Sequence, residues 1–247
     1  TLPFDMYYQK YYLPDKKERI RPTTQKHHCY LYKNRIYPFF GNMAMNEITP
    51  LHVREWQNNQ ISLDFKPKYL RTLHQFLSGI FDYCVRFHYL AENPCDRVEP
   101  MGRNGLSRKA NIWRLDEYEK VYDSMSTTHH RAALALLFWA GLRKGELYGL
   151  QWRDYCPLTK RLRVERSYQR LNGKAVIMPP KTEKSNRIII LPHQAYRQLD
   201  VHRAEHLKAK DTDFIFTWTK RKLEDEIQLA CQLAGVKRIR IHDLRHS

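Results

Sequence analysis

The stretch AGLRKGELYGL, Ala140 to Leu150, is where the reading of this chain turns. Ahead of it, apolar residues recur at three- and four-residue intervals; beyond it, they alternate. His130 to Ala140 is nearly all apolar and so reads as a buried helix. Gly141 ends that helix, and Leu142 to Leu150 reads as a second, short one. Arg143 and Glu146 stand three apart there, which by itself spells an intrahelical ion pair. From Leu162 the period drops to two. Leu162-Arg163-Val164 is a strand candidate, and Asn172-Gly173 is the strongest hairpin signal in the chain. Ala175 to Met178 follows it, and Arg187 to Leu191 makes a third strand after a polar turn. Residues 194–209 and 219–234 read as amphipathic helices flanking Phe214-Ile215-Phe216. With Leu115 to Met125 as one more helix, the C-terminal part is α+β, mainly helical, with a small three-stranded antiparallel sheet.

Working back toward the N-terminus, everything reads as helix. Phe4, Tyr7, Tyr8, Tyr11 and Tyr12 lie at helical spacing within Pro3 to Leu13. Thr23 or Thr24 can cap a helix through Tyr37. Thr49-Pro50 is a helix start with proline at the first position, carrying Leu51, Val53 and Trp56 forward. Pro67 to Leu90 is a long helix with Leu70, Leu73, Leu77, Ile80, Phe81, Cys84, Phe87 and Leu90 on one face, ended by Asn93-Pro94. Residues 95–112 hold turn signals, few large apolar residues, and Arg97, Arg103, Arg108 and Lys109, which together suggest a basic linker. The expected organisation is an all-helical domain over 1–94, a linker over 95–112, and a mixed domain over 113–247.

Charge narrows the function. The 247 residues carry 43 Lys and Arg against 26 Asp and Glu, a net charge of +17. The excess grows along the chain: 13 basic and 8 acidic side chains before residue 95, then 30 and 18 after it. Nine basic residues fall between Lys160 and Arg187 against Glu165 and Glu183. An excess of one sign within a larger excess repels itself unless a polyanion relieves it, which points to nucleic acid. The longest uncharged apolar run, Ala132 to Leu142, is too short for a bilayer, which takes about 20 residues, so a soluble protein is expected. Five cysteines, at least eleven residues apart, offer no zinc spacing and read as reduced thiols of a cytoplasmic protein.

No phosphate-cradling GxxxxGK[ST] or GxGxxG occurs. His202-Arg-Ala-Glu-His206 fits an HxxEH metal pattern, but it sits between charged residues beside Tyr196, Leu199 and Leu207. A solvated helix face is the expectation there, and no metal site is assigned. Three segments remain: GLRKGEL with QWRDY after it, the basic turn PKTEKSNR over 180–187, and HDLRH, in which His242 and Arg245 lie one helical turn apart.

In this order the three segments resemble the boxes of the tyrosine recombinase, or phage integrase, family, with integrases of phages and conjugative transposons the nearest branch. The helical N-terminal part with its basic linker is similar to the family's SAM-like core-binding domain. The resemblance implies a site-specific recombinase of a mobile element that closes on duplex DNA as a C-shaped clamp. It exchanges strands at a crossover site through a 3′-phosphotyrosine, needs no metal or cofactor, and works as a tetramer in synapsis. Residue by residue, Arg143 and Arg245 would hold the scissile phosphate and Lys181 would protonate the leaving 5′ oxygen. His242 would be a further donor, and Glu146 would orient its neighbours. Arg suits this work because it stays charged and presents a planar fork to two phosphate oxygens.

Further phosphate contacts are expected from Lys66, Lys68, Arg71, Arg103, Arg108, Lys109, Arg163, Lys184 and Arg187. The family's nucleophile lies some dozens of residues past the HxxR box, whereas the last tyrosine here is Tyr196. The chain starts at Thr1 and stops within HDLRHS, so both ends read as cuts and the 247 residues alone are expected not to cleave. A type IB topoisomerase, a telomere resolvase and a DNA-binding regulator without a nucleophile remain open alternatives.

Overall fold

The structure, a computed structural model, describes residues 2–247 apart from 88, 103–110, 172–173, 179–185 and 218–219. The chain separates into two compact units, Thr1–Arg108 and Lys109–Ser247.

In the first unit, α1 (Phe4–Tyr7) runs through a π-helical turn (Tyr8–Tyr12) into α2 (Leu13–Arg19), and α3 (Pro22–Leu31) runs through another (Tyr32–Ile36) into α4 (Tyr37–Phe40). Both π turns have one cause. Pro14 and Pro38 cannot donate to the carbonyls of Lys10 and Asn34, and their rings push those carbonyls away, so the preceding turn widens. Helix α5 (Pro50–Ile61) starts as its sequence suggests: Thr49 Oγ1 accepts from the His52 N–H, and His52 Nδ1 accepts from the Thr49 N–H. Helix α6 (Pro67–Arg86) buries Leu70, Leu73, Leu77, Ile80, Phe81 and Cys84 along one face. Phe4, Phe40, Trp56 and Phe81 meet edge-on or tilted at its centre, and the Tyr8 and Tyr32 rings stack beside them.

Two expectations need correcting in this unit. The long helix stops at Arg86 rather than Leu90, because the Tyr89 and Leu90 N–H groups turn back onto the Cys84 carbonyl and Tyr89 packs on Tyr7. Nor are residues from 95 onward a free linker. Asn93 caps a single 3-10 turn (Pro94–Arg97), and Cys95, Val98 and Met101 are buried in the helical core. Three apolar side chains in a polar stretch were enough to dock it.

The second unit opens with α7 (Leu115–Asp123) and α8 (Thr128–Trp139). Helix α8 is buried on every side, with Ala132 to Leu137 wholly inaccessible. After Gly141, in the left-handed region at φ 59°, comes α9 (Lys144–Gly149). The strands are β1 (Tyr155–Cys156), β2 (Arg161–Val164), β3 (Ser167–Leu171), β4 (Lys174–Met178) and β5 (Arg187–Ile190). A three-stranded antiparallel sheet is present in the order β1-β2-β5, while β3 and β4 form a separate two-stranded ribbon. The segment 174–178, expected in the main sheet, therefore belongs to the ribbon, and 155–156 takes the sheet's third place. The chain changes course at Arg166, whose guanidinium is tied to Asp154 and the Gly149 carbonyl, and β3 then packs against α9. In the sheet, Leu162 and Val164 point into the core while Ile188 and Ile190 face outward. Helices α10 (His193–Ala204), α11 (Lys220–Ala234) and α12 (Ile241–Leu244) complete the unit. Among the described residues, no helix is long and apolar enough to cross a membrane.

Candidate active site

Arg143 is the N-cap of α9, and its position follows from the helix end it holds. Glu146, in the first turn, accepts from the Arg143 backbone N–H at 2.9 Å and from Arg143 Nη1 at 2.7 Å. The carboxylate is almost fully buried, at 4% side-chain exposure, so it cannot rely on water. A second guanidinium completes its shell: Arg187, at the start of β5, donates Nη1 at 3.1 Å and Nη2 at 2.9 Å to the two oxygens. Burial alone would raise the Glu146 carboxyl. The hydrogen bonds from Arg187 and from the Arg143 backbone and side chain outweigh it, and the group is held below its ordinary range.

Arg245 joins from the C-terminal side. It ends α12, and its side-chain stem passes within 3.7 Å of where a Cβ on Gly141 would lie. Burial, and then the neighbouring charges of Arg143 and Arg187, lower its affinity for a proton, and Glu146 opposes them. Its Nη1 is buried without a hydrogen-bond partner. Helix α12 is itself fixed by Asp243, whose carboxylate accepts from Arg240 Nε at 2.7 Å and Nη2 at 2.8 Å. Two guanidinium groups thus hold one carboxylate while a third, Arg245, lies within electrostatic reach of all three, leaving a positive excess and an unsatisfied buried donor. Such a place binds a polyoxyanion.

The structure brings Arg143, Glu146 and Arg245 together and adds Arg187, which sequence reasoning had placed only among backbone contacts. His242, on α12, is exposed and packs edge-on against His246. Lys181, Lys184, Arg103, Arg108 and Lys109 lie outside the described residues. Arg163 is exposed on β2 near Glu165, and Lys66 and Lys68 are exposed at the start of α6. Arg71 differs: its guanidinium is bound to the Gly102 carbonyl and holds the 95–102 segment down. The signal missed was GxxxG: a Cβ on Gly145 or Gly149 would meet Ser167 Oγ at 2.5 Å or the Arg166 carbonyl at 2.8 Å. Their lack of a side chain lets α9, and Arg143 with it, lie against β3.

Four tyrosines of this unit are held as neutral phenols. Burial comes first among the causes that raise Tyr118, Tyr122, Tyr148 and Tyr155, moving each away from the phenolate a nucleophile needs. The HxxEH segment also departs from expectation. His202 is fully buried rather than solvated, held between Trp152 and Phe216.

Comparison with known proteins identifies the family. A phage integrase N-terminal SAM-like domain model matches residues 4–60, and a phage integrase family model matches residues 112–247. The ICEBs1 integrase of Bacillus subtilis (strain 168) is 24% identical over 253 residues, covering 96% of this chain and 68% of that protein. The curated relatives are longer proteins, of which this chain spans 58–68%. Among solved structures, the Tn1549 transposon integrase in complex with a circular intermediate DNA superposes with a TM-score of 0.74 at 16% identity, covering 95% of this chain and 83% of that one. A lambda integrase tetramer bound to a Holliday junction gives 0.69 at 19% identity, covering 100% and 71%. Two matched domain models, in the order the fold presents them, place the chain in the phage integrase family.

Proposed function

We propose that this chain is the DNA-binding and phosphate-activating part of a site-specific recombinase of a mobile element, working in the cytoplasm on duplex DNA and assembling into a tetramer in synapsis. The observation that carries the reading is the buried Glu146 carboxylate clamped by the Arg143 and Arg187 guanidiniums, with the nearby Arg245 carrying a buried Nη1 left unsatisfied. Solved neighbours described as DNA-bound integrases support the choice of DNA as the anion.

The chemistry follows from the donors. Transfer of a phosphodiester passes through a state in which the nonbridging oxygens gain negative charge. Arg143 and Arg245 meet that charge with preorganised forks, and Glu146 holds Arg143 and Arg187 in place so that no reorganisation is needed at the moment of reaction. His242 adds a donor at the same phosphate, and Lys181 gives its proton to the leaving 5′ oxygen. The attacking tyrosine is expected from a position past Ser247, which leaves the buried tyrosines of this unit to packing. Both units take part in holding the duplex, with Lys66, Lys68, Arg103, Arg108, Lys109, Arg163 and Lys184 on its backbone.

The test is a duplex carrying the element's junction, nicked near the crossover to trap covalent protein. A protein extended past Ser247 gives an adduct on denaturing gels, and residues 1–247 give none. Arg143→Lys or Arg245→Lys in the extended protein retains binding and loses about 100- to 1000-fold in cleavage rate. Unchanged cleavage in either variant, or an adduct from residues 1–247, would overturn the assigned roles. Binding should weaken linearly in log–log salt titrations at about 0.9 per phosphate contact.

A further inference from the structure

Three histidines outside the arginine cluster meet where α8 and α10 pack side by side. His129 is in the first turn of α8, His202 in the last turn of α10, and His206 in the turn that follows. Each can offer a ring nitrogen, and these atoms all lie within 4.8 Å of one another. The ring centroids of His129 and His202 are 4.3 Å apart, and those of His202 and His206 4.4 Å. Trp152 and Phe216 wall the group on the protein side, while His206 is exposed and leaves one side to solvent.

The hydrogen bonds around the rings match what a metal ligand needs. A carbonyl oxygen can only accept, so a ring nitrogen facing one carries the proton and leaves the other nitrogen's lone pair available. His206 Nδ1 faces the His202 carbonyl at 2.9 Å, which frees His206 Nε2. His202 Nε2 faces the Ile215 carbonyl at 3.3 Å, which frees Nδ1, and that nitrogen is buried without a hydrogen-bond partner. A buried lone pair with nothing to accept is costly, and a cation would satisfy it. Close packing of imidazoles against aromatic rings explains the burial of His202 but not the orientation of two rings by backbone carbonyls.

We infer that His129, His202 and His206 form a binding site for a divalent transition-metal ion, with Zn²⁺ the ion it suits best. Three imidazoles with neither carboxylate nor thiolate exclude Mg²⁺ and Ca²⁺ and suit zinc, nickel or copper. Zinc bonds of about 2.0–2.1 Å set the nitrogens roughly 3.3 Å apart in a tetrahedron, so the rings must draw together on binding. Water on the exposed side fills the fourth position. The ion would tie the start of α8 to the end of α10 and, through Ile215, to the segment that pairs with Gln151. It takes no part in strand cleavage, since none of its ligands belongs to the arginine cluster.

The sequence pattern HxxEH shows only two of the three ligands. The acid between them, Glu205, is not the third: it accepts a hydrogen bond from the Thr128 hydroxyl, beside His129. That contact latches the same two helix ends the ion would join.

The experiment uses the untagged 247-residue chain stripped with a chelator. Zn²⁺ is titrated by calorimetry, and Co²⁺ is added in parallel to read the visible bands of a four-coordinate site. One saturable ion per chain, tetrahedral Co²⁺ bands and a higher melting temperature with Zn²⁺ are expected. His206→Gln should fold normally, because the side chain is exposed, and should weaken Zn²⁺ by more than the roughly 10- to 100-fold that losing an outer partner costs. It should also abolish the melting shift. His202→Gln is the buried counterpart, and circular dichroism reports whether it folds. Absence of saturable binding, or Zn²⁺ affinity unchanged in His206→Gln, overturns the site; the latter would place the ion elsewhere, for example at His242 and His246.

Discussion

The two units bury different things. The helical unit closes over rings, and its buried polar groups are mostly neutral: Trp56 donates to the Arg35 carbonyl at 2.8 Å, and Gln57 bridges His74 and the Glu99 carbonyl. The second unit buries carboxylates. Glu146, Asp154 and Asp243 are each at most 6% exposed, and each is held by arginine. Burying a charge with its partner adds little net stability compared with an apolar pair, while removing one partner is costly. The ring-filled unit therefore owes its stability to contact area, and the other gives up some of that gain to hold guanidinium groups in fixed positions. A scaffold is expected to look like the first and an anion site like the second.

The largest effect expected from this contrast is Trp56→Ala. The side chain is wholly buried among Phe40 and its neighbours, so its loss removes transfer free energy and leaves a cavity, about 3–5 kcal/mol in all. Urea unfolding should show the helical unit's transition moved to lower denaturant, with the change the same at pH 5 and pH 7. A loss under 1 kcal/mol would mean the ring core is not what holds this unit.

Next comes Glu146→Gln, which keeps the shape and removes the charge. Two guanidiniums then face each other across an amide, at a cost of about 2–3 kcal/mol. That is below the usual figure for a broken buried pair, because Arg143 is half exposed and water screens it. The acid response should differ as well. The folded carboxyl lies below its ordinary 4.5, so on acidification the unfolded chain takes up the proton first. Its stabilising contribution is complete above about pH 4.5 and is lost as pH falls through the lowered folded value. The variant should show a flatter stability profile in that window, and identical profiles would show that Glu146 is not held by its arginines.

The contrast also explains what could be read from the sequence. Helix α6 and the apolar helix α8 were legible because their signal is local periodicity, and Arg143 with Glu146 because three residues make one turn. Arg187 was assigned to DNA rather than to Glu146 because 41 residues separate them, and pairing across that distance leaves no pattern in a single sequence. His202 read as solvated for the same reason: its burial depends on Trp152, Phe216 and His129, all on other segments. The stretch after Asn93 looked like a linker because its polar residues outnumber the three side chains that dock it. The π turns followed from prolines that were in plain view, but their effect falls on the residues before them.

The smallest effects come from a pair of glycines, one in each unit. Gly79 lies in the interior of α6, and a Cβ there meets nothing within 4 Å. Gly79→Ala should stabilise the helical unit by about 0.5–1 kcal/mol, since alanine gives the unfolded chain less freedom to lose. Gly149 ends α9, and a Cβ there would sit 2.8 Å from the Arg166 carbonyl oxygen and 3.0 Å from its carbon. These are backbone atoms, fixed by the Arg166 bonds to Asp154 and the Gly149 carbonyl, so they cannot step aside as a flexible side chain would. Gly149→Ala should therefore cost about 1–3 kcal/mol by overpacking. Because α9 carries Arg143 at its N-cap, the displacement should also loosen the Arg143 hold on Glu146 and slow cleavage in the extended protein. The two substitutions are chemically identical, so opposite signs in thermal unfolding would come from the packing difference alone. Equal signs would mean that α9 can move off the ribbon freely and that the close approach does not position Arg143.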